Sequence, residues 1–359
     1  MSEGAIAVYI HIPFCIRKCF YCDFYSLKYE EGRVRAFALA LLKEIQSYKN
    51  IKAKTLYLGG GTPTTLPIHL LKEIISSAKE NFSLSPDAEI SVEANPETID
   101  EEKLKALREL GVNRISIGVQ SFDDDLLRFL GRVHNADKAR KALEKAREAG
   151  FENINIDLLF AIPGQTLQNW KETLEEALFF KPTHISCYSL TIEEGTKLFK
   201  DLKRGKISSV EDEISAKMFE LGDEILTSNG YIHYEISNYS LPGFECQHNL
   251  SYWRDEPYLG LGPSAVSFLP PYRLRNHSLS GYLRGKKRIL EEIVEEEERE
   301  KERIILGLRL KEGVEKERLK RGDKVEEMIR EGFMEEENGR IRLTLKGMLV
   351  YNSIVADLL

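Results

Sequence analysis

Residues 9–24 read Tyr9-Ile-His-Ile-Pro-Phe-Cys-Ile-Arg-Lys-Cys-Phe-Tyr-Cys-Asp-Phe24, the end of an apolar run followed by a loop with Cys15, Cys19 and Cys22 in the spacing C-x3-C-x2-C. Thiolates this close on one short loop can all reach a single metal centre. Structural zinc usually takes two C-x2-C pairs, and the chain has no second pair. An iron–sulfur cube normally takes four cysteines, so three leave one iron open to a small molecule. A bare thiol redox pair, Cys19 with Cys22, is the remaining alternative.

The rest of the chain narrows the class. Its 359 residues, 42% hydrophobic and 30% charged, suffice for one large domain or two smaller ones. A net charge of −7 argues against a broad attraction to nucleic acid. No apolar run approaches the roughly 20 residues that span a bilayer, and no secretory leader is visible at the start. A cytoplasmic location is expected, at most peripheral to a membrane through a partner. Five cysteines, three of them clustered, do not form a disulfide framework. Cys187 and Cys246 read as buried, inert thiols.

Strand patterns at residues 5–10, 55–58, 89–92, 114–119, 153–160 and 184–190 alternate with helix patterns at 33–48, 68–81, 101–110, 138–149 and 167–179. Gly111 and Gly150 fall where helix C-caps want glycine. Such alternation predicts parallel β-α units, and six repeats fit an α/β fold with an incomplete (β/α)6 barrel. Functional loops of such barrels follow the C-terminal strand ends, which is where the cysteine loop falls. Beyond about Ser208 the pattern predicts a helix at 210–229, a tyrosine-bearing strand at 230–240 and a Gly/Pro-rich stretch at 258–271. The charged run 288–303 reads as a solvated helix face. Residues 301–359 predict a helix–hairpin–helix tail like a winged helix, turning at Asn338-Gly339. Its middle helix is too acidic for a DNA groove. Residues 1–207 are thus expected to form the barrel, 208–287 an extension, and 288–359 a smaller C-terminal unit.

Leu58-Gly-Gly-Gly-Thr-Pro-Thr64 follows a strand directly. Glycines there let backbone approach a ligand, although a tight strand-to-helix turn would need them too. Asp123-Asp-Asp125 resembles a metal cluster but reads better as a helix N-cap. The cysteine loop and glycine run together resemble the radical S-adenosylmethionine (radical SAM) superfamily. Val92-Glu-Ala-Asn-Pro96, Gly118-Val-Gln-Ser-Phe122 and Asp157-Leu-Leu-Phe-Ala-Ile-Pro-Gly-Gln165 extend the resemblance to its oxygen-independent coproporphyrinogen oxidase branch. It implies that Cys15, Cys19 and Cys22 hold a [4Fe-4S] cluster whose fourth iron takes the amino and carboxylate groups of S-adenosylmethionine (SAM). The cofactors then supply the difficult chemistry. By the same resemblance Tyr9, Gly61, Thr62, Glu93, Gln120, Arg132 and Asp157 contact SAM, Arg132 through a fork of donors to its carboxylate.

Two functions compete within this branch. The oxidase, a coproporphyrinogen dehydrogenase-type enzyme of porphyrin metabolism, decarboxylates two propionates of coproporphyrinogen III. The haem chaperones keep the radical SAM core but bind haem and deliver it to haemoproteins. Oxidases carry a fourth cysteine at the position of Phe24, and a longer arm than the fourteen residues before Cys15. His248-Asn-Leu-Ser-Tyr-Trp253 matches the H-N-x-x-Y-W motif of the chaperones. The expectation is therefore a haem carrier with haem as cargo near the barrel's open face and His248 as an axial contact. A buried aromatic cluster around a hydrogen-bonded histidine is the plainer reading of the same residues. The implied partners are recipient haemoproteins, membrane-bound respiratory enzymes among them, and an electron donor.

Overall fold

The computed structural model describes residues 4–359. Six strands form its centre: β1 (Ile6–Ile12), β2 (Ile51–Gly60), β3 (Phe82–Ala94), β4 (Arg114–Gln120), β5 (Asn153–Phe160) and β6 (His184–Ser189). Each lies parallel beside the next in chain order. Helices α1 (Glu31–Ser47), α2 (Ile68–Asn81), α3 (Glu101–Glu109), α4 (Asp124–Leu130), α5 (Ala136–Glu148) and α6 (Leu167–Phe179) fill the crossovers. The parallel arc is the expected incomplete (β/α)6 barrel. Asp123 caps α4 by accepting from the backbone N–H groups of Asp125 and Leu126, as its sequence context suggests.

Alternation along the strands sorts the side chains. Ile6, Val8, Ile10 and Ile12 of β1 join Leu56, Leu58, Ile115 and Ile117 in one apolar core with the helices. The other face carries Tyr9, Tyr57, Glu93, Arg114, Ser116 and Asp157, an uncommonly polar lining whose hydrogen bonds define the site below.

The sheet does not stop at residue 207. After α7 (Lys197–Lys203) and α8 (Asp212–Ser228), residues 230–240 make a tight hairpin, β7 (Ile232–Glu235) and β8 (Asn238–Ser240), not the single strand expected. β8 pairs antiparallel with β6 at one edge of the arc. Helix α9 (Gln247–Trp253) then leads to β9 (Tyr258–Leu261), which pairs parallel with β1 at the other edge. The Gly/Pro-rich stretch is thus strand, and β10 (Val266–Leu269) and β11 (Tyr272–Arg275) continue it antiparallel. The charged run also begins as strand, β12 (Ile289–Ile293), before α11 (Glu296–Gly307); α10 (Leu279–Leu283) lies between β11 and β12 in the chain. The tail holds α12 (Gly322–Arg330) and a small sheet of β13 (Val314–Glu315), β14 (Met334–Glu337) and β15 (Arg340–Leu343), turning at Asn338-Gly339 as expected. Asp255, its side chain 3% exposed, takes Arg299 at 2.6 Å and Arg303 at 3.2 Å and ties α11 to the end of α9.

Candidate functional site

The C-terminal ends of β1 to β5 converge on the cysteine loop. Cys15 comes three residues after the end of β1, and Cys19 and Cys22 follow on a segment pinned to the end of α4. Phe20 N–H donates to the Leu130 carbonyl at 2.9 Å. Arg17 reaches the Gly131 carbonyl at 2.7 Å and the Arg132 carbonyl at 2.5 Å. Arg17 was not foreseen; a basic residue in a loop carries no sequence signal of the carbonyls it will meet.

All three cysteines are half-buried. Burial pushes the Cys15 thiol up, and that of Cys22 up to about 11. Thiols in that state lose their protons only to a group that brings positive charge, as a metal does. Arg132 Nη1 donates toward Cys19 Sγ at 3.4 Å, and Thr62 Oγ1 toward Cys15 Sγ at 3.8 Å, the latter partly offsetting the upward push of burial on Cys15. Among the described residues, no three His, Cys, Asp or Glu side chains are arranged to hold a single metal ion. A cube takes each thiolate on a different iron and needs no such convergence, so the donor set fits a cluster better than a zinc ion.

The glycine run packs tightly against this loop. A Cβ on Gly59 would stand 3.0 Å from the Glu93 carboxyl, one on Gly60 2.5 Å from the His11 ring, and one on Gly61 2.8 Å from the Phe14 carbonyl. Gly60 also has φ +114°, a conformation that favours glycine. Protein neighbours thus demand these glycines at the turn, and the same lack of side chains leaves the backbone open to close approach.

Around them the expected residues gather. Thr62 is buried and accepts from Asn95 Nδ2 at 2.8 Å. Asn95 Oδ1 in turn accepts from Arg132 Nη2 at 2.6 Å, and the Gly118 carbonyl takes the same nitrogen at 2.7 Å. Arg132 is thus clamped, yet its buried Nε has no partner among the described residues. Gln120 ends β4 at φ +69°. Asp157 accepts from Ser116 Oγ at 2.8 Å and Asn155 Nδ2 at 2.9 Å. Glu93 accepts from Tyr57 OH at 2.9 Å and Gly60 N–H at 3.0 Å. Burial and the neighbouring Asp157 raise its pKa to about 7. Tyr9 hydrogen-bonds His11 Nδ1 at 3.1 Å, and its ring lies 6.1 Å from Tyr57. Asn95 and Tyr57 were missed although Asn95 lies inside a quoted motif.

His248 sits deeper. It is 1% exposed, with Nδ1 on Thr55 Oγ1 at 2.7 Å and Nε2 on Tyr252 OH at 2.9 Å. Its ring stacks on Tyr57 at 4.8 Å. Thr55 lies five residues before the end of β2, so His248 is not at the rim that carries the cysteines. Burial, with Arg114 and Lys54 nearby, lowers its pKa to about 3 and keeps the imidazole neutral. This is the hydrogen-bonded aromatic cluster, not an open axial position: both ring nitrogens are engaged. Cys187 and Cys246 are buried, as expected.

Comparison with known proteins places the chain. A model described as the radical SAM superfamily matches residues 9–177, and one described as the HemN C-terminal domain matches residues 294–350. The chain is 36% identical to the heme chaperone HemW of Lactococcus lactis over 99% of its own length and 97% of the relative's. It is 40% identical to that of Synechocystis over 86% and 79%, and 39% identical to that of Escherichia coli over 72% and 69%. Its fold superposes on coproporphyrinogen III oxidase (HemN) from Escherichia coli with a TM-score of 0.85, covering 99% of this chain and 90% of the other at 23% identity.

Proposed function

The chain belongs to the HemW family within the radical SAM superfamily, and from that membership we propose that it is a haem carrier, binding haem and passing it to recipient haemoproteins. The observation that carries this reading is the similarity to a haem chaperone along 99% of the chain, which takes in both the barrel and the tail. Phe24 offers no thiol where the oxidase pattern has its fourth cysteine, which argues against coproporphyrinogen decarboxylation.

Cys15, Cys19 and Cys22 would hold the [4Fe-4S] cluster, and the residues present fit it by their donor chemistry and by the cations and hydroxyl beside them. When bound, cluster and SAM supply one-electron reductive chemistry. The chain's own residues do the positioning. Arg132 would meet a carboxylate through its free Nε alone and not through the expected fork, because Asn95 and the Gly118 carbonyl take both hydrogens of Nη2 and fix the guanidinium before ligand arrives. Glu93 and Asp157 accept from ribose hydroxyls or an ammonium group, while Gly61, Thr62, Gln120 and Tyr9 close the seat. An electron donor would reach the cluster at the rim of the barrel.

His248 contacts the cargo only if Tyr252 releases Nε2, and otherwise it sets the pose of the Tyr252 ring. Recipients include membrane-bound respiratory haemoproteins, met through protein contact: no helix among the described residues is long and apolar enough to cross a membrane. Residues 288–359 serve as a packing and interaction unit in this reading. The test is transfer: cluster-loaded protein charged with haem should restore the absorbance of an apo-haemoprotein faster than free haem does under a competing scavenger. Equal rates would sink the carrier reading.

A further inference from the structure

A cleft of about 630 Å³ opens between α9, the β9–β11 sheet edge and α11. That volume lies within the roughly 300–1,000 Å³ of cofactor sites. Tyr252, Trp253, Tyr258 and Phe268 supply its flat walls, and Ile305 and Leu306 of α11 close it. The Tyr252 and Tyr258 rings meet edge to face at 4.7 Å. The arginine among the cleft's lining residues is Arg273, with its guanidinium 5.3 Å from the Phe268 ring centroid; Arg299 and Arg309 also stack on the Phe268 and Trp253 rings, at 5.4 and 4.3 Å. It is held by Glu302 of α11, Nη2 standing 2.9 and 2.8 Å from the two carboxylate oxygens, and by Glu292. Trp253 adds an independent sign of a missing partner, a buried indole N–H with no acceptor among the described residues.

We propose that this cleft seats a planar tetrapyrrole through its carboxylates, with Arg273 as the anchor and Glu302 as the resident carboxylate that the cargo displaces. The proposal rests on the haem-carrier reading and assigns it a place. A guanidinium fork binds one carboxylate as well as another. Exchanging Glu302 for a propionate therefore costs little, because Glu302 is already 27% exposed and returns to water. Net affinity then comes from burying the macrocycle between aromatic walls, and Glu302 can retake Arg273 to help release it. A carrier needs that reversibility. Helix α11 belongs to the tail, so the tail forms one wall of the cargo site in this assignment.

The test is a double-variant cycle in full-length, cluster-loaded protein, titrated with iron(III) protoporphyrin IX and with its dimethyl ester. Arg273→Leu should weaken the diacid roughly ten- to hundredfold and leave the diester unchanged. Glu302→Gln should tighten the diacid several-fold, and that gain should vanish in the Arg273→Leu background. Cluster absorbance and circular dichroism verify that each variant is folded, and Glu302→Gln serves should Arg273→Leu not fold. A gain from Glu302→Gln that persists without Arg273, or equal losses for acid and ester, would overturn the anchor. If the unaltered protein binds neither compound, the carrier reading itself fails and this assignment goes with it.

Discussion

Tyr57 donates its phenolic hydrogen to Glu93 Oε1 at 2.9 Å while its ring stacks on His248. One side chain thus joins the deep H-N-x-x-Y-W helix to the carboxylate that holds the glycine loop at Gly60. The glycine loop reaches the cysteines through Thr62, so the cargo motif and the cluster loop share one continuous set of contacts.

Glu93 gives this set a pH dependence. Its pKa is raised from 4.5 to about 7, so the folded protein keeps a proton that the unfolded chain releases. Between those values the fold binds more protons, and stability contributed by this group falls as pH rises. The unfolding free energy of the cluster-free protein, read from denaturant titrations, should decline from pH 5 to pH 8 by up to roughly 3 kcal/mol from this residue. Glu93→Gln should flatten that decline. An unchanged slope in the variant would contradict the assignment.

Gly60→Ala should destabilise by roughly 1–3 kcal/mol, since φ +114° is strained for alanine and the new methyl meets the His11 ring. Gly4→Ala, with nothing within 4 Å, should stay within about 0.5 kcal/mol. Thermal unfolding of the two variants measures the contrast. Similar shifts would mean that the glycine loop is not packed as described.

Cys15→Ala, Cys19→Ala and Cys22→Ala should each lose the visible iron–sulfur absorption and acid-labile sulfide after reconstitution. Cys187→Ala should keep both, its thiol being 5% exposed on β6 away from the loop. Full sulfide content in any of the three loop variants would remove that cysteine from the ligand set.

The regular part of this molecule was plain in the sequence. Residues 153–160 and 167–179 alternate and repeat cleanly, and β5 and α6 occupy those bounds. The strands β9 and β10 were hidden because Gly260, Gly262, Pro263 and Pro270 punctuate them like a loop. Their pairing with β1 and with each other is a tertiary effect that overrides such local signals. The hairpin at residues 236–237 lacks glycine, proline or an Asn-Gly pair, so one strand was expected. At the site, motif resemblance named Thr62, Glu93, Arg132 and Asp157, and the H-N-x-x-Y-W motif already held Tyr252 one helical turn from His248, whereas the partner Thr55 lies 193 residues away and left no local signal.

His248→Ala should cost roughly 1–3 kcal/mol, because the buried Thr55 hydroxyl loses its partner. Tyr252→Phe frees Nε2 and should strengthen any histidine signature in the haem spectrum. If His248→Ala leaves that spectrum unchanged, the residue only holds the aromatic cluster.

The central claim, that this radical SAM protein carries haem instead of making its precursor, is tested most directly by one paired measurement. Cluster-reconstituted protein is titrated with haem and, under the same anaerobic conditions with SAM and reductant, supplied with coproporphyrinogen III. The predicted result is a stable, saturable Soret band with no protoporphyrinogen formed; steady decarboxylation of coproporphyrinogen, with no retained haem, would contradict it.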